Sequence, residues 1–156
     1  MHRTAAVALA IVAVALVLIL LWHGRPGRAP GLVASWERTP GVLNPDVTQA
    51  TIGQTICVRG WTRTVRPPAS YTSALKLEQM KEYGVAGDPS DYQEDHLISL
   101  ELGGHPTDRR NLWPEPRPRA DRVDLIENEL NGKVCSGELT LAEAQRRESE
   151  LKHRSG

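Results

Sequence analysis

The chain contains no phenylalanine and only two cysteines, and its 19 lysines and arginines are matched by 19 acids. Cys57 and Cys135 lie far apart, form no C-x-x-C pair and stand in no Cys/His spacing, which excludes a zinc ribbon and a dithiol redox motif. They read either as two buried thiols or as one disulfide closing a long loop, and a bridge would require an oxidising compartment. A chain without net charge has no global attraction for a polyanion, so phosphate binding would have to come from local patches. The missing phenylalanine decides nothing about class. Acids are also absent from the N-terminal end: none precedes Glu37, whereas Arg3, Arg25 and Arg28 do, so the remainder is mildly acidic.

What is present begins with a long apolar run. Residues 5–22 carry no charge and are long enough to cross most of a bilayer as a helix. A transmembrane anchor is expected within residues 1–23. A secretory signal cleaved from an exported protein is the alternative, but no clean Ala-x-Ala cleavage site appears between the apolar run and Ser35. Arg25 and Arg28, just behind the helix, favour a cytoplasmic C-terminal side by the positive-inside rule. A disulfide would argue the opposite. Residues 24–38, rich in Gly, Pro and Arg, read as a linker, and residues 39–156 as one folded domain with a modest core.

Within that domain, β-branched residues and Trp61 around Gly60 predict one or two short strands over residues 51–64. Arg59, Arg63 and Arg66 recur there, forming a basic strip if they share a face, or a solvated strand edge if they do not. After Pro67-Pro68, Ser73 is placed to cap a helix over 74–83 that carries Leu77, Met80 and Tyr83, with Gly84 as its stop. A strand is expected over 92–102, leading into Gly103-Gly104, and a second short one at Asn111-Leu112-Trp113. Pro114, Pro116 and Pro118 end it and deliver the chain to a helix over 119–130, with Ala120, Val123, Ile126 and Leu130 as its buried stripe and Asn131-Gly132 as its end. A capping box from Thr140 to Glu143 opens a last helix bearing Leu141, Ala144 and Leu151, and residues 152–156 read as a frayed end. The class is α+β.

Titratable groups are dense in one place only, where Glu94, Asp95 and His96 meet an apolar run and a Gly-Gly turn. Neighbours on a strand face opposite sides, so Asp95 and His96 share a site only if the strand ends there. The block Asp95-His96-Leu97, Leu102-Gly103-Gly104 and Asn111-Leu112-Trp113-Pro114-Glu115-Pro116 resembles the ββα-metal core of the HNH (His-Me finger) endonucleases. In more detail it resembles a group of small exported bacterial proteins of that superfamily. The likeness continues more loosely through Cys57-Val58-Arg59-Gly60-Trp61, Arg66-Pro67-Pro68, and Val134-Cys135-Ser136-Gly137-Glu138 with Ala144-Gln145.

The resemblance implies a small ββα-metal core over about 92–131, with an N-terminal β unit and flanking helices added. It also implies metal-dependent hydrolysis of phosphodiester bonds in nucleic acid, with DNA expected and low sequence specificity. His96 would be the general base, since an imidazole is half neutral near pH 6.5. Asn111 follows at the family's spacing, and its side-chain carbonyl would fix the tautomer. Asp95 would bind one divalent ion, Mg2+ first, with Mn2+, Zn2+ or Ni2+ as alternatives. The helix would add Asp124, with Glu127 and then Asn128 as the next choices. Arg109, Arg110, Arg117, Arg119 and Arg122 would contact phosphate, or else form a salt-bridged solvated face. Exported relatives imply an extracytoplasmic domain; no oligomer is indicated. The chain departs from the family in having Val123 where a lysine is expected and no cysteine near Arg38. Two rival readings stand: a catalytically inactive, membrane-tethered binding module for nucleic acid or protein, and a purely structural role for His96 and the acids.

Overall fold

Each strand of the domain is launched by the same device, a one-turn helix capped by an aspartate. Asp88 accepts from the Ser90 amide before β1 (Tyr92–His96), and Asp108 accepts from the Arg110 amide before β2 (Leu112–Pro116). The two strands pair antiparallel, with Asp95 opposite Trp113 and His96 opposite Leu112. Pro114 and Pro116 are tolerated because a two-stranded sheet consists of edges, where an absent N–H is no loss. This computed structural model describes residues 31–154. The expected anchor and nearly half of the linker lie outside the described residues, among which no helix is long and apolar enough to cross a membrane.

Among the described residues four α-helices surround the sheet: α1 (Trp61–Val65), α2 (Ala69–Glu82), α3 (Arg117–Ser136) and α4 (Leu141–Arg154). The result is a small α+β fold. Its main core brings Val47, Ile56, Ile98 and Leu102 against Leu130 and Val134 of α3 and Leu141 and Ala144 of α4. On the other side of the strand end, Leu97 and Trp113 pack with Ala34. The order strand, loop, strand, helix puts the end of β1 beside the middle of α3. A Cys57–Cys135 disulfide, spanning 78 positions, ties the segment before α1 to the last turn of α3.

Several expectations are corrected. Residues 51–64 hold no strand: they form a one-turn helix (Ile52–Gln54), bends and the start of α1. The β-branched residues serve packing and side-chain-to-backbone bonds instead, as where Thr51 Oγ1 donates to the Asp46 carbonyl and Thr55 Oγ1 to that of Thr51. The helix expected at Ala74 begins at Ala69, directly after Pro68, and turns Leu77 to solvent while burying Leu75 and Met80. β1 stops at His96: the Leu97 amide still donates to the Asn111 carbonyl, but the Ile98 amide and carbonyl are bonded by the Asn111 side chain. α3 runs past Asn131-Gly132 to Ser136 and stops at Gly137, whose φ of 82° favours glycine. Ile126 is exposed, and its place in the stripe belongs to Glu127. The C-terminal end is not frayed at Lys152 and His153, both buried. Ala34 and Trp36, assigned to the linker by composition, pack there: the Ala34 amide donates to the Lys152 carbonyl, and Trp36 stacks on His153 at 3.5 Å.

Candidate metal centre

A cavity of about 190 Å3 opens where β1 ends, lined by Asp95, His96, Glu101, Asp124, Glu127 and Asn128 among others. His96 is the last residue of β1, so the alternation of the strand breaks there and both Asp95 and His96 reach the same space. α3 supplies Asp124 and Glu127, one turn apart on the same face. One oxygen each from Asp95, Asp124 and Glu127 lies within 4.8 Å of the others. The family resemblance implies Asp95 and a helix residue, Asp124 first and Glu127 as the next choice, and the structure brings all three side by side. Three carboxylates make a hard oxygen set, suited to Mg2+, Mn2+ or Ca2+ rather than to a soft metal.

The His96 ring is bonded differently from expectation. Its Nε2 donates to the Pro106 carbonyl at 3.0 Å, which puts the proton on Nε2 and leaves Nδ1 unprotonated. Burial, only partly opposed by the Pro106 bond and the Asp95 charge, holds the ring below its usual pKa. At neutral pH it is therefore a neutral imidazole with a basic Nδ1, and that atom has no partner among the described residues. No hydrogen bond joins Asn111 to His96. Asn111 is fully buried and staples the loop instead: Oδ1 accepts from the Ile98 amide, and Nδ2 donates to the carbonyls of Ile98 and His105. Gly104 makes room for it, since a Cβ there would lie 2.6 Å from Asn111 Nδ2 and 1.7 Å from the Ile98 carbonyl oxygen. Asn111 thus shapes the loop that carries Pro106, while Pro106 sets the tautomer.

Beneath the cavity lies a cation that the sequence reading assigned to a frayed end. The Lys152 ammonium, 0% exposed, donates to Asp95 Oδ2 at 2.7 Å and Glu127 Oε1 at 2.6 Å, bonds the His96 carbonyl, and stands 3.6 Å from Glu148 Oε1. Glu148 in turn receives the Ser99 amide on both oxygens. Burial opposes the ammonium charge, but Asp95, Glu127, Glu148 and Glu115 outweigh it and push Lys152 above its ordinary range. Burial would likewise raise Asp95, yet Lys152 and a hydrogen bond from Glu115 hold that carboxyl well below the usual range. The other acids go the opposite way. Asp124, Glu127 and Glu148 are raised by burial and by neighbouring carboxylates, and Glu115 is pushed to about 8 by burial and by Asp95, with Arg119 opposing and outweighed. Negative charge is crowded here beyond what Lys152 and Arg119 neutralise, and a divalent cation would relieve that crowding.

The five arginines expected to contact phosphate do not line this cavity. Arg109 pairs with Glu82 at 2.6 Å and Arg110 with Asp108 at 2.7 Å. Arg117 donates to the Ser90 carbonyl and Arg122 to that of Pro118. Arg119 is buried over the Trp113 ring and bonded to Glu115 and the Leu151 carbonyl. A different arginine, Arg66, lines the cavity from the C-terminal end of α1.

A signal for Glu127, Glu148 and Lys152 was present. Ala120, Val123, Glu127, Leu130 and Val134 are spaced three and four apart, as are Leu141, Ala144, Glu148 and Lys152. Charged residues at core positions of two adjacent helical stripes point to a buried ionic cluster. Comparisons of the chain with protein-family models, with curated proteins and with solved structures return no match.

Proposed function

We propose that the domain is a metal-dependent endonuclease of the HNH type that hydrolyses phosphodiester bonds in nucleic acid, DNA foremost. The observation that carries this reading is the convergence of Asp95, Asp124 and Glu127 oxygens beside a neutral His96 whose Nδ1 is free to take a proton. The strand, loop, strand, helix order around that site and the DHL, LGG and NLWPEP motifs support placement in the superfamily. Asp95, Asp124 and Glu127 would hold one Mg2+ or Mn2+, which when bound supplies positive charge to a phosphate and its leaving oxygen. The chain's own residues do the rest. His96 Nδ1 accepts a proton from water, and the Pro106 carbonyl keeps the ring turned for it. Lys152 keeps Asp95 ionised and holds Asp95 and Glu127 in place from the buried side.

The Cys57–Cys135 bridge supports an exported domain, tethered by residues 1–23 or secreted after their removal. A non-catalytic binding module is the second reading, favoured by one observation: the five arginines nearest the motif are already engaged by the protein itself. Calorimetric titration with Mn2+ separates the two when paired with a plasmid assay. An endonuclease binds about one ion per chain, loses that binding in Asp124→Asn, and nicks supercoiled DNA with Mn2+ but not with EDTA. A protein that binds DNA without nicking it under any divalent metal is the module.

A further inference from the structure

The cavity is rich in carboxylates, and a phosphodiester entering it would be repelled by every acid that the metal does not neutralise. A substrate phosphate needs a cation on the open side, and the motif's own arginines are occupied elsewhere. Arg66 meets that need. It lines the cavity together with Asp95, His96 and Asp124, and its charge acts on His96, Glu101 and Asp124. Its side chain is exposed and makes no hydrogen bond or ion pair among the described residues.

The backbone beneath it is pinned. The Arg66 amide closes α1 by donating to the Thr62 carbonyl at 3.0 Å, and Pro67-Pro68 follows at once. A fixed Cα with an unpaired guanidinium suits a residue whose partner arrives with the substrate, because nothing inside the protein must be released first.

Arg63 stands one helical turn before Arg66, also exposed and unpaired among the described residues. Arg59, likewise unpaired there, borders the neighbouring cleft, which shares Glu101 with the first. Three exposed arginines therefore lie along the segment that enters and leaves α1, the last lining this cavity and the first the neighbouring cleft.

Resting on the endonuclease reading above, we infer that Arg66 grips the phosphate presented to the metal site. In this arrangement Arg63 and Arg59 carry the adjoining phosphates of the same nucleic-acid strand. The substrate groove thus runs over α1 and the disulfide-tethered segment, rather than over the start of α3 where the motif's arginines cluster.

The test uses the full-length chain in mild detergent, comparing wild type, Arg66→Ala and Arg66→Lys. Three quantities are read: cleavage of a fluorescent DNA oligonucleotide with Mg2+ at several salt concentrations, anisotropy of the same DNA in EDTA, and Mn2+ affinity by calorimetry. Losing a charge-assisted contact to phosphate lowers kcat/KM about 10- to 150-fold in Arg66→Ala. The slope of log affinity against log salt falls by about 1. Arg66→Lys recovers part of both, while Mn2+ affinity and the thermal midpoint stay at wild-type values. Wild-type cleavage and DNA affinity in Arg66→Ala would overturn the assignment, as would an equal loss of Mn2+ binding, which marks a structural role. If the wild type binds DNA but never cleaves it, the endonuclease reading fails while the anisotropy still decides for or against Arg66. If the wild type neither cleaves nor binds DNA, both fall.

Discussion

Replacing Lys152 by methionine keeps the bulk of the side chain and removes its charge, which isolates what the buried ammonium does. In the wild type that ammonium touches Asp95 and Glu127 at 2.7 and 2.6 Å, with Glu148 at 3.6 Å, and is sealed from water. Without it the carboxylates remain buried with no counter-ion. Removing one partner of a buried ion pair costs about 3–5 kcal/mol, a large share of the roughly 5–15 kcal/mol that a domain has in total. With a urea dependence of about 2 kcal/mol per M, the unfolding midpoint should fall by roughly 2 M at pH 7 in EDTA. The pH dependence should change sign at Asp95, which Lys152 holds low, whereas Glu127 and Glu148 are raised already in the wild type. In the wild type Asp95 is held below its unfolded value, so its contribution is present at neutral pH and is lost as pH falls toward that lowered value. In Lys152→Met Asp95 joins Glu127 and Glu148 above its unfolded value, so the folded state binds still more protons and stability rises more steeply than in the wild type as pH falls from 7 to 5. Mg2+ should restore part of the loss by supplying charge to the same oxygens. Urea denaturation followed by tryptophan fluorescence, at two pH values with and without Mg2+, reads all three effects. A variant as stable as the wild type in EDTA at pH 7 would refute the reasoning.

Other perturbations probe other parts of the fold. Glu94 has no hydrogen-bond partner for either carboxylate oxygen among the described residues, and burial, then Asp95, pushes it up to about 8. The wild type should therefore lose stability as pH rises from about 4.5 through 8, and Glu94→Gln should flatten that slope and be roughly 1–3 kcal/mol more stable at pH 8.5 in the same urea assay. Reducing the Cys57–Cys135 bridge, whose 78-position span makes a long loop, should lower stability by about 4–5 kcal/mol in the chain-entropy model, measured with and without reductant. Gly104→Ala should fail to reach native near-UV circular dichroism, because its Cβ would sit 1.7 Å from the Ile98 carbonyl oxygen, a backbone atom that cannot turn away.

Local chemistry was legible in the sequence where it depends on neighbours in the chain. Asp95 and His96 where a strand must end, and the capping of α4 by Thr140, which accepts from the Glu143 amide, follow from alternation and capping residues, whereas Asp124, with Glu127 as the next choice, came from the family resemblance. What was missed depends on distant partners. A β-branched run at 51–64 has the local preference of a strand, but among the described residues no strand lies beside it to receive its backbone bonds, and it is packed as turns beside a disulfide. Lys152 reads as a solvated terminal residue until α4 is packed against β1 and α3, where it meets two carboxylates from elements 25 and 57 positions away. Asn111 was expected to hold the His96 ring, and its side chain bonds the loop instead. Its partners, two carbonyls and an amide of the same loop, could not be read from spacing alone.

The most direct test of the metal-centre account is the rate of DNA cleavage by wild type and by His96→Ala in matched Mg2+ and EDTA, with circular dichroism on both. The account predicts cleavage by the wild type only when metal is present, and a loss of at least about 100-fold in a folded His96→Ala variant. Cleavage that persists in EDTA, or that survives the substitution unchanged, would contradict it.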